Sequence, residues 1–199
     1  MSIVISEEED FLNRVIFENI EFNKCEVSNI IIGLTELKKV YVNNLKSHGQ
    51  MTFWGTIFNG VTLKGKFDSL FVSPYLKAAT VDKKIQASFE SNLQSYYDNL
   101  EEYALDIEEA EFSECEIRGI PARLIKRDKT SQVIVKKQNL IESDWKSIVG
   151  KDTFFDVALE LFIERNEDEY ILVAPKRSKK YQLMLSIIDK LVNAFIAYR

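Results

Sequence analysis

Residues 15–30 read VIFENIEFNKCEVSNI, and their apolar residues come in pairs: Val15 and Phe17, Ile20 and Phe22, Cys25 and Val27. The pairs recur every five residues, which fits neither the roughly 3.6-residue period of a helix nor the plain alternation of a strand. The rhythm continues through Ile30 and Ile32, Thr35 and Leu37, and Val40 and Val42. Leu45 holds the next place and Ser47 breaks it. After the segment HGQ (48–50) the pairs resume one residue out of phase, as Met51 and Phe53, Thr56 and Phe58, and Val61 and Leu63. Between the pairs lie polar or turn-tolerant residues such as Asn19, Lys24, Asn29, Lys39 and Asn44.

A square β-helix accounts for a count of five. Each side holds two inward positions separated by one outward residue, and a turn carries the chain round the corner. The inward pair must be apolar because it stacks on the coils above and below it. Asn and Gly suit the corners because their backbones accept tight-turn dihedrals. On these residues the stretch resembles the pentapeptide-repeat family over residues 15–72, with an echo at Ala110 and Phe112, then Cys115 and Ile117. It departs from the family in using Val, Ile or Met at the earlier inward site. Between the paired residues, where the family favours Asp or Asn, stand Ile16, Glu21, Glu26, Ile31, Glu36 and Tyr41. An ordinary antiparallel sheet of short, bulged strands is the alternative.

Ser73-Pro74 closes this region. From Val81 to Tyr103 the apolar residues Ile85, Phe89, Leu93, Tyr96, Tyr97, Leu100 and Tyr103 fall at helical steps, predicting a long amphipathic helix. Beyond Ala104, strands are expected at Arg118–Lys126 and Gln132–Lys137, around the turn RDKTS, with Pro121 marking an edge or bulge. A short helix is expected to open at Ser143-Asp144-Trp145 and close at Gly150. The segment Phe154–Arg165 alternates cleanly and reads as a strand, forming a hairpin with Tyr170–Ala174, although ALELFIER also has high helix propensity. A last amphipathic helix spans Ser178–Tyr198 and must dock on a sheet. The fold class is therefore α+β: a mostly β N-terminal half stacked like a short β-helix, a connecting helix, then a hairpin-rich sheet packed by a C-terminal helix. The corresponding segments are 1–80, 81–104 and 105–199, which also read as one continuous domain.

Composition excludes several classes. The chain has 199 residues, 46% hydrophobic and 29% charged, within the range of folded globular proteins. No apolar run approaches the roughly 18 residues that span a bilayer, and MSIVISEEEDFL is not a signal peptide, so a cytoplasmic location is expected. Two cysteines, Cys25 and Cys115, read as buried thiols. With the single histidine His48, read as a surface-turn residue, they leave no basis for a zinc site. There is no phosphate-binding Gly loop and no nucleophile elbow. No catalytic residue, metal or cofactor is expected.

Charge is the remaining feature. Glu101–Glu116 holds eight acids and no base, and Arg123–Lys137 holds six bases against one acid. A further basic cluster, Lys176, Arg177, Lys179 and Lys180, precedes the last helix, where free N–H groups would favour an anion. The acids Asp106, Glu108, Glu109, Glu111, Glu114 and Glu116 lack calcium-loop spacing and read as a solvated or partner-binding face. The trio Glu160, Glu164 and Lys176 has the residue types of a nuclease without its spacing. Pentapeptide-repeat resemblance implies an inhibitor or protector acting through an acidic face, and immunity proteins share that logic. The expected function is a non-enzymatic protein-binding module whose Glu108, Glu109, Glu111, Glu114 and Glu116, joined by Glu18, Glu21, Glu26 and Glu36, meet a basic partner protein. A nucleic-acid-binding or nuclease-like protein using 123–137 and 175–180 is the alternative, and an assembly subunit pairing its apolar ends is the second.

Overall fold

The computed structural model describes residues 14–76, 82–165 and 167–199. It is an α+β chain with a curled parallel sheet and a separate antiparallel sheet. The first strands are β1 (Val15–Asn23), β2 (Glu26–Gly33), β3 (Thr35–Trp54), β4 (Ile57–Asn59) and β5 (Val61–Ser73). β1 lies parallel to the first half of β3 and β2 to its second half, with Val15 opposite Thr35, Ile20 opposite Val40 and Glu26 opposite Lys46. β5 adds in parallel on the other edge of β3. A chain that pairs in parallel with its own continuation after so few residues has to curl, since parallel neighbours must run in the same direction.

The bends are visible in the backbone. Asn19, Lys24, Asn29, Leu34, Lys39 and Asn44 all have φ between +45° and +56°, and glycines 49, 55, 60 and 65 continue the series. A left-handed residue turns the strand so that the next apolar pair also faces inward. Asn tolerates that conformation and Gly adopts it without strain. From Thr35 and Leu37 onward the inward pairs are buried, through Val40, Val42, Leu45, Met51, Phe53, Phe58, Val61 and Leu63. Ser47 is also buried, and its hydroxyl is satisfied by the Asp68 N–H at 3.0 Å. The phase slip at HGQ is a bulge: Ser28 faces His48, but Ile30 faces Met51. Gly49 (φ +82°) forms it, donating to Asp68 Oδ2 at 3.0 Å, while Gln50 N donates to Asn29 Oδ1 at 3.1 Å. A Cβ on Gly49 would stand 2.3 Å from that Asn29 oxygen, so a larger residue would have to displace the Asn29 amide that Gln50 N bonds, besides adopting a left-handed backbone.

Pro74 follows the end of β5, and α1 runs over Lys83–Asp98 with the Asp82 carboxylate capping Lys84 N at 2.7 Å. Val81 lies outside the described residues. The helix stops short of the expected Tyr103, and Leu100 and Tyr103 lie in the connection that returns to the sheet. It buries Phe89, Leu93 and Tyr97 against the curl. Tyr97 Oη accepts from Phe58 N at 3.2 Å, and Tyr96 Oη takes the Asn59 side-chain N–H at 2.7 Å and donates to Glu36 at 2.8 Å. Burial, reinforced by Glu36, pushes the Tyr96 phenol up to about 12.

Three later strands rejoin the same sheet: β6 (Leu105–Asp106), β7 (Ala110–Ile117) and, after a 3₁₀ turn at Ala122–Leu124, β8 (Ile125–Lys126). In β7, Ala110, Phe112, Cys115 and Ile117 stand opposite Gly65, Phe67, Leu70 and Val72, so the echo pairs stack on the first region and both β regions share one sheet. The expected strand at Arg118–Lys126 is corrected: Gly119 (φ +76°) breaks it, Pro121 starts the 3₁₀ turn, and only its last two residues pair.

The C-terminal part contains β9 (Gln132–Lys136), α2 (Lys137–Ile141), α3 (Trp145–Val149), α4 (Phe155–Glu164), β10 (Glu169–Val173), α5 (Tyr181–Asn193) and β11 (Ala197–Tyr198). β9 is the centre of the antiparallel sheet, between β10 and β11. The strand expected at Phe154–Arg165 is a helix, so no hairpin joins it to β10. The helical spacing of Phe155, Leu159 and Phe162 buries all three on one side, which strand alternation could not do. The last helix ends at Asn193, because Phe195 (φ +59°) turns the chain back and lets Ala197 and Tyr198 pair with β9. Alternation along β10 divides its side chains between two cores. Ile171 and Val173 join the core of the curled sheet, while Tyr170 and Leu172 join one built on Trp145, Phe155, Phe162, Ile188 and Leu191.

Candidate partner-binding surface

The acidic run from Glu108 to Glu116 follows the bends of β7. Ala110 and Phe112 are buried, and so are Cys115 and Ile117, so the alternation slips at Ser113-Glu114 and the chain bends there. Glu111 and Glu116 therefore emerge on either side of a bend. Each meets a different environment. Glu111 stands opposite Lys66 in a row that continues as Lys46 and Glu26, two acids and two bases. Glu109 is 2.5 Å from the Lys64 ammonium. Glu116 accepts from Arg165 at 2.7 Å and lies 3.5 Å from Arg118. Glu108 and Glu114 are exposed and, with Glu111, have no ion pair among the described residues.

The glutamates of the first β region are also engaged. Glu18 pairs with Lys38 at 2.8 Å and Glu26 with His48 at 2.7 Å, and each hydrogen bond holds its carboxyl below the ordinary range. Glu21 accepts from Asn23, and Glu36 from Tyr96. His48 is a strand residue of β3 rather than a turn residue, although it is exposed as expected. Both thiols are free. Cys115 is buried, which drives its thiol upward, whereas Cys25 is only half-buried because it lies near the start of the curl.

The basic clusters are largely occupied within the chain. Lys176 reaches Asp128 at 2.9 Å, Arg177 reaches Asp68 at 3.0 Å, and the Lys180 ammonium bonds the Asp152 carbonyl. Lys179 is exposed. Burial by itself would raise the Asp128 carboxyl, but Lys176, the Thr130 N–H and the Ser131 hydroxyl together hold it down to about 2. In the 123–137 segment, Arg123 donates to the Tyr97 carbonyl at 2.7 Å, Lys126 sits 3.8 Å over the Tyr103 ring, and Lys136 faces Glu169. Glu160 pairs with Lys146 at 2.6 Å, so no ion pair joins it to Lys176.

Sequence reasoning missed two features. One is a charged knot of Glu116, Arg118, Arg165 and Glu167 where β7 meets the approach to β10. Arg118 also lies over the Phe71 ring at 4.7 Å. Burial raises the Glu167 carboxyl even though it accepts from Gly119 N at 2.9 Å and has both arginines nearby. The members are dispersed along the chain, and no spacing announces them. The other is a groove of about 350 Å³ bounded by Gln50, Ser69, Phe71, Glu114, Glu116 and Phe154, which brings the free Glu114 next to an exposed ring. Among the described residues, no group of three or more His, Cys, Asp or Glu side chains could hold a metal ion. No helix among them is long and apolar enough to cross a membrane. A comparison of the chain with protein-family models, curated proteins and solved structures returns no match.

Proposed function

We propose that this chain is a non-enzymatic protein-binding module of the inhibitor or immunity type, which recognises a basic partner through glutamates of β7. The curled sheet is, in this reading, a short right-handed β-helix like that of the pentapeptide-repeat proteins. Its support is the ladder offset of twenty residues, four steps of five, together with a left-handed residue at every fifth position from Asn19 to Gly49. The functional reading is carried by one observation: Glu108, Glu111 and Glu114 stand without ion pairs among the described residues, on or next to a strand whose backbone is fixed by its ladder to β5. Fixed charges are already arranged before the partner arrives, which speeds encounter and penalises partners of the wrong sign. The nucleic-acid alternative has less to draw on, because Lys176, Arg177 and Lys180 are already bonded within the chain.

The test begins with a partner captured from native lysate and released by salt. Its affinity for the E108K/E111K/E114K variant is then measured by calorimetry. Affinity should fall by about tenfold or more, equivalent to at least about 1.4 kcal/mol. Unchanged binding by a folded variant removes β7 from the interface.

A further inference from the structure

Helix α4 is striped three ways. At about 100° per residue, Phe155, Leu159 and Phe162 form its buried side. Phe154, Val157 and Leu161, at steps of three and four, form a second stripe about 130° round the helix from the first, 39%, 54% and 45% exposed. Asp156, Glu160 and Glu164 are each four residues apart and run along the border of that stripe. A helix that faces only water on its outer side has no use for three large apolar residues in line, and such stripes mark contacts.

We propose that this outer face of α4 is the docking site for an amphipathic helix of the partner, one whose apolar side is flanked by lysine or arginine. The proposal rests on the protein-binding reading above but not on its choice of Glu108 and Glu111. Charge complementarity selects the occupant. Phe154, Val157 and Leu161 would pack between the partner's apolar side chains, and Asp156, Glu160 and Glu164 would meet its cations. Asp156 and Glu164 have no ion pair among the described residues. Glu160 holds Lys146 only in an exposed pair, which is readily exchanged. The groove beside Phe154 extends the site, with Glu114 at its edge to receive one further long cationic side chain. An anionic membrane surface would be repelled by the same acidic stripe. An antiparallel two-fold pairing with a second copy would set the two acidic stripes side by side.

The test is an amide NMR titration of the full chain with a synthetic helix-forming peptide carrying leucines on one face and lysines along its borders. A scrambled peptide of the same composition serves as the control. Saturable shifts should map to 154–164 and Glu114. V157S/L161S and E160K/E164K should each weaken binding by about tenfold or more, whereas E101K/E102K, a charge reversal at two exposed acids away from α4, should leave it within about twofold. The substituted residues Glu101, Glu102, Val157, Glu160, Leu161 and Glu164 are all exposed, and a native-like spectrum of each free variant verifies folding. No binding, binding unaffected by V157S/L161S, or dimerisation through α4 in light scattering overturns the proposal. Shifts centred on Glu108 and Glu111 would overturn it while leaving the acidic-strand reading intact.

Discussion

The curled sheet and the C-terminal part are stabilised by different kinds of contact. In the curl, apolar residues stand opposite one another across parallel ladders, so the same requirement returns again and again along the chain: Ile20 beside Val40, Leu70 beside Cys115. In the C-terminal part, β9 meets strands that arrive from distant points, with Ile134 facing both Ile171 and Tyr198. A requirement that repeats along the chain writes itself into the sequence as a period. One that is met once, by whatever element arrives, leaves no such trace. β10 links the two regions, since its alternate side chains enter both cores.

That shared strand gives the largest expected effects. Phe67 is fully buried and packs on Phe112 with centroids 5.4 Å apart, and Phe162 is fully buried and stacks on Tyr170 at the same separation. Phe67→Ala and Phe162→Ala should each cost about 3–5 kcal/mol, as large core truncations do. Urea denaturation followed by circular dichroism should show both variants shifting a single transition. If each variant splits off its own transition, the two regions fold separately and β10 does not couple them.

Asp128 should have a smaller effect, confined to acid. It lies in the connection from β8 to β9 and holds Lys176, just beyond β10. Its folded carboxyl titrates at about 2 against an ordinary 3.8. A depressed acid contributes stability that is complete above its unfolded value and disappears as pH falls through the folded one. Thermal melts should therefore lose on the order of 2 kcal/mol of Asp128-dependent stability between about pH 4 and about pH 2. Asp128→Asn should flatten that part of the curve. Glu167 has the opposite sign: its raised carboxyl makes its contribution fall as pH rises.

The smallest effect sharpens the contrast. Lys39 has φ +51° in the curl, while Lys190 sits inside α5. Lys39→Gly should raise stability slightly, by less than about 1 kcal/mol, because glycine removes the left-handed penalty. Lys190→Gly should lower it by about 1 kcal/mol through lost helix propensity. Equal signs in parallel melts would mean that position in the five-residue cycle does not govern backbone strain.

These contrasts explain what the sequence disclosed. Inward pairs from Thr35 to Leu63 were legible because each parallel ladder of the curled sheet demands buried apolar residues again, and even the slip at HGQ marked a physical bulge. Phe154–Arg165 misled because Phe155, Val157, Leu159, Leu161 and Ile163 satisfy strand alternation while also fitting a helix. Burial of Phe162, out of phase with that alternation, decides for the helix, and only the tertiary structure supplies it. The final strand was hidden because Phe195 enters a left-handed turn without being Gly or Asn. As for the candidate surface, the acids were visible but their neighbours were not. Lys64 and Arg165 lie 45 and 49 residues from the glutamates they hold.

The two tryptophans fall one in each region. Trp54 closes β3, half-buried and edge-on to Phe71 at 5.2 Å. Trp145 opens α3 and is 4% exposed in the other core. The chain thus carries an intrinsic optical reporter for each region. Replacing either indole with phenylalanine leaves the other to record, by its emission alone, how its own surroundings respond when the molecule is loosened.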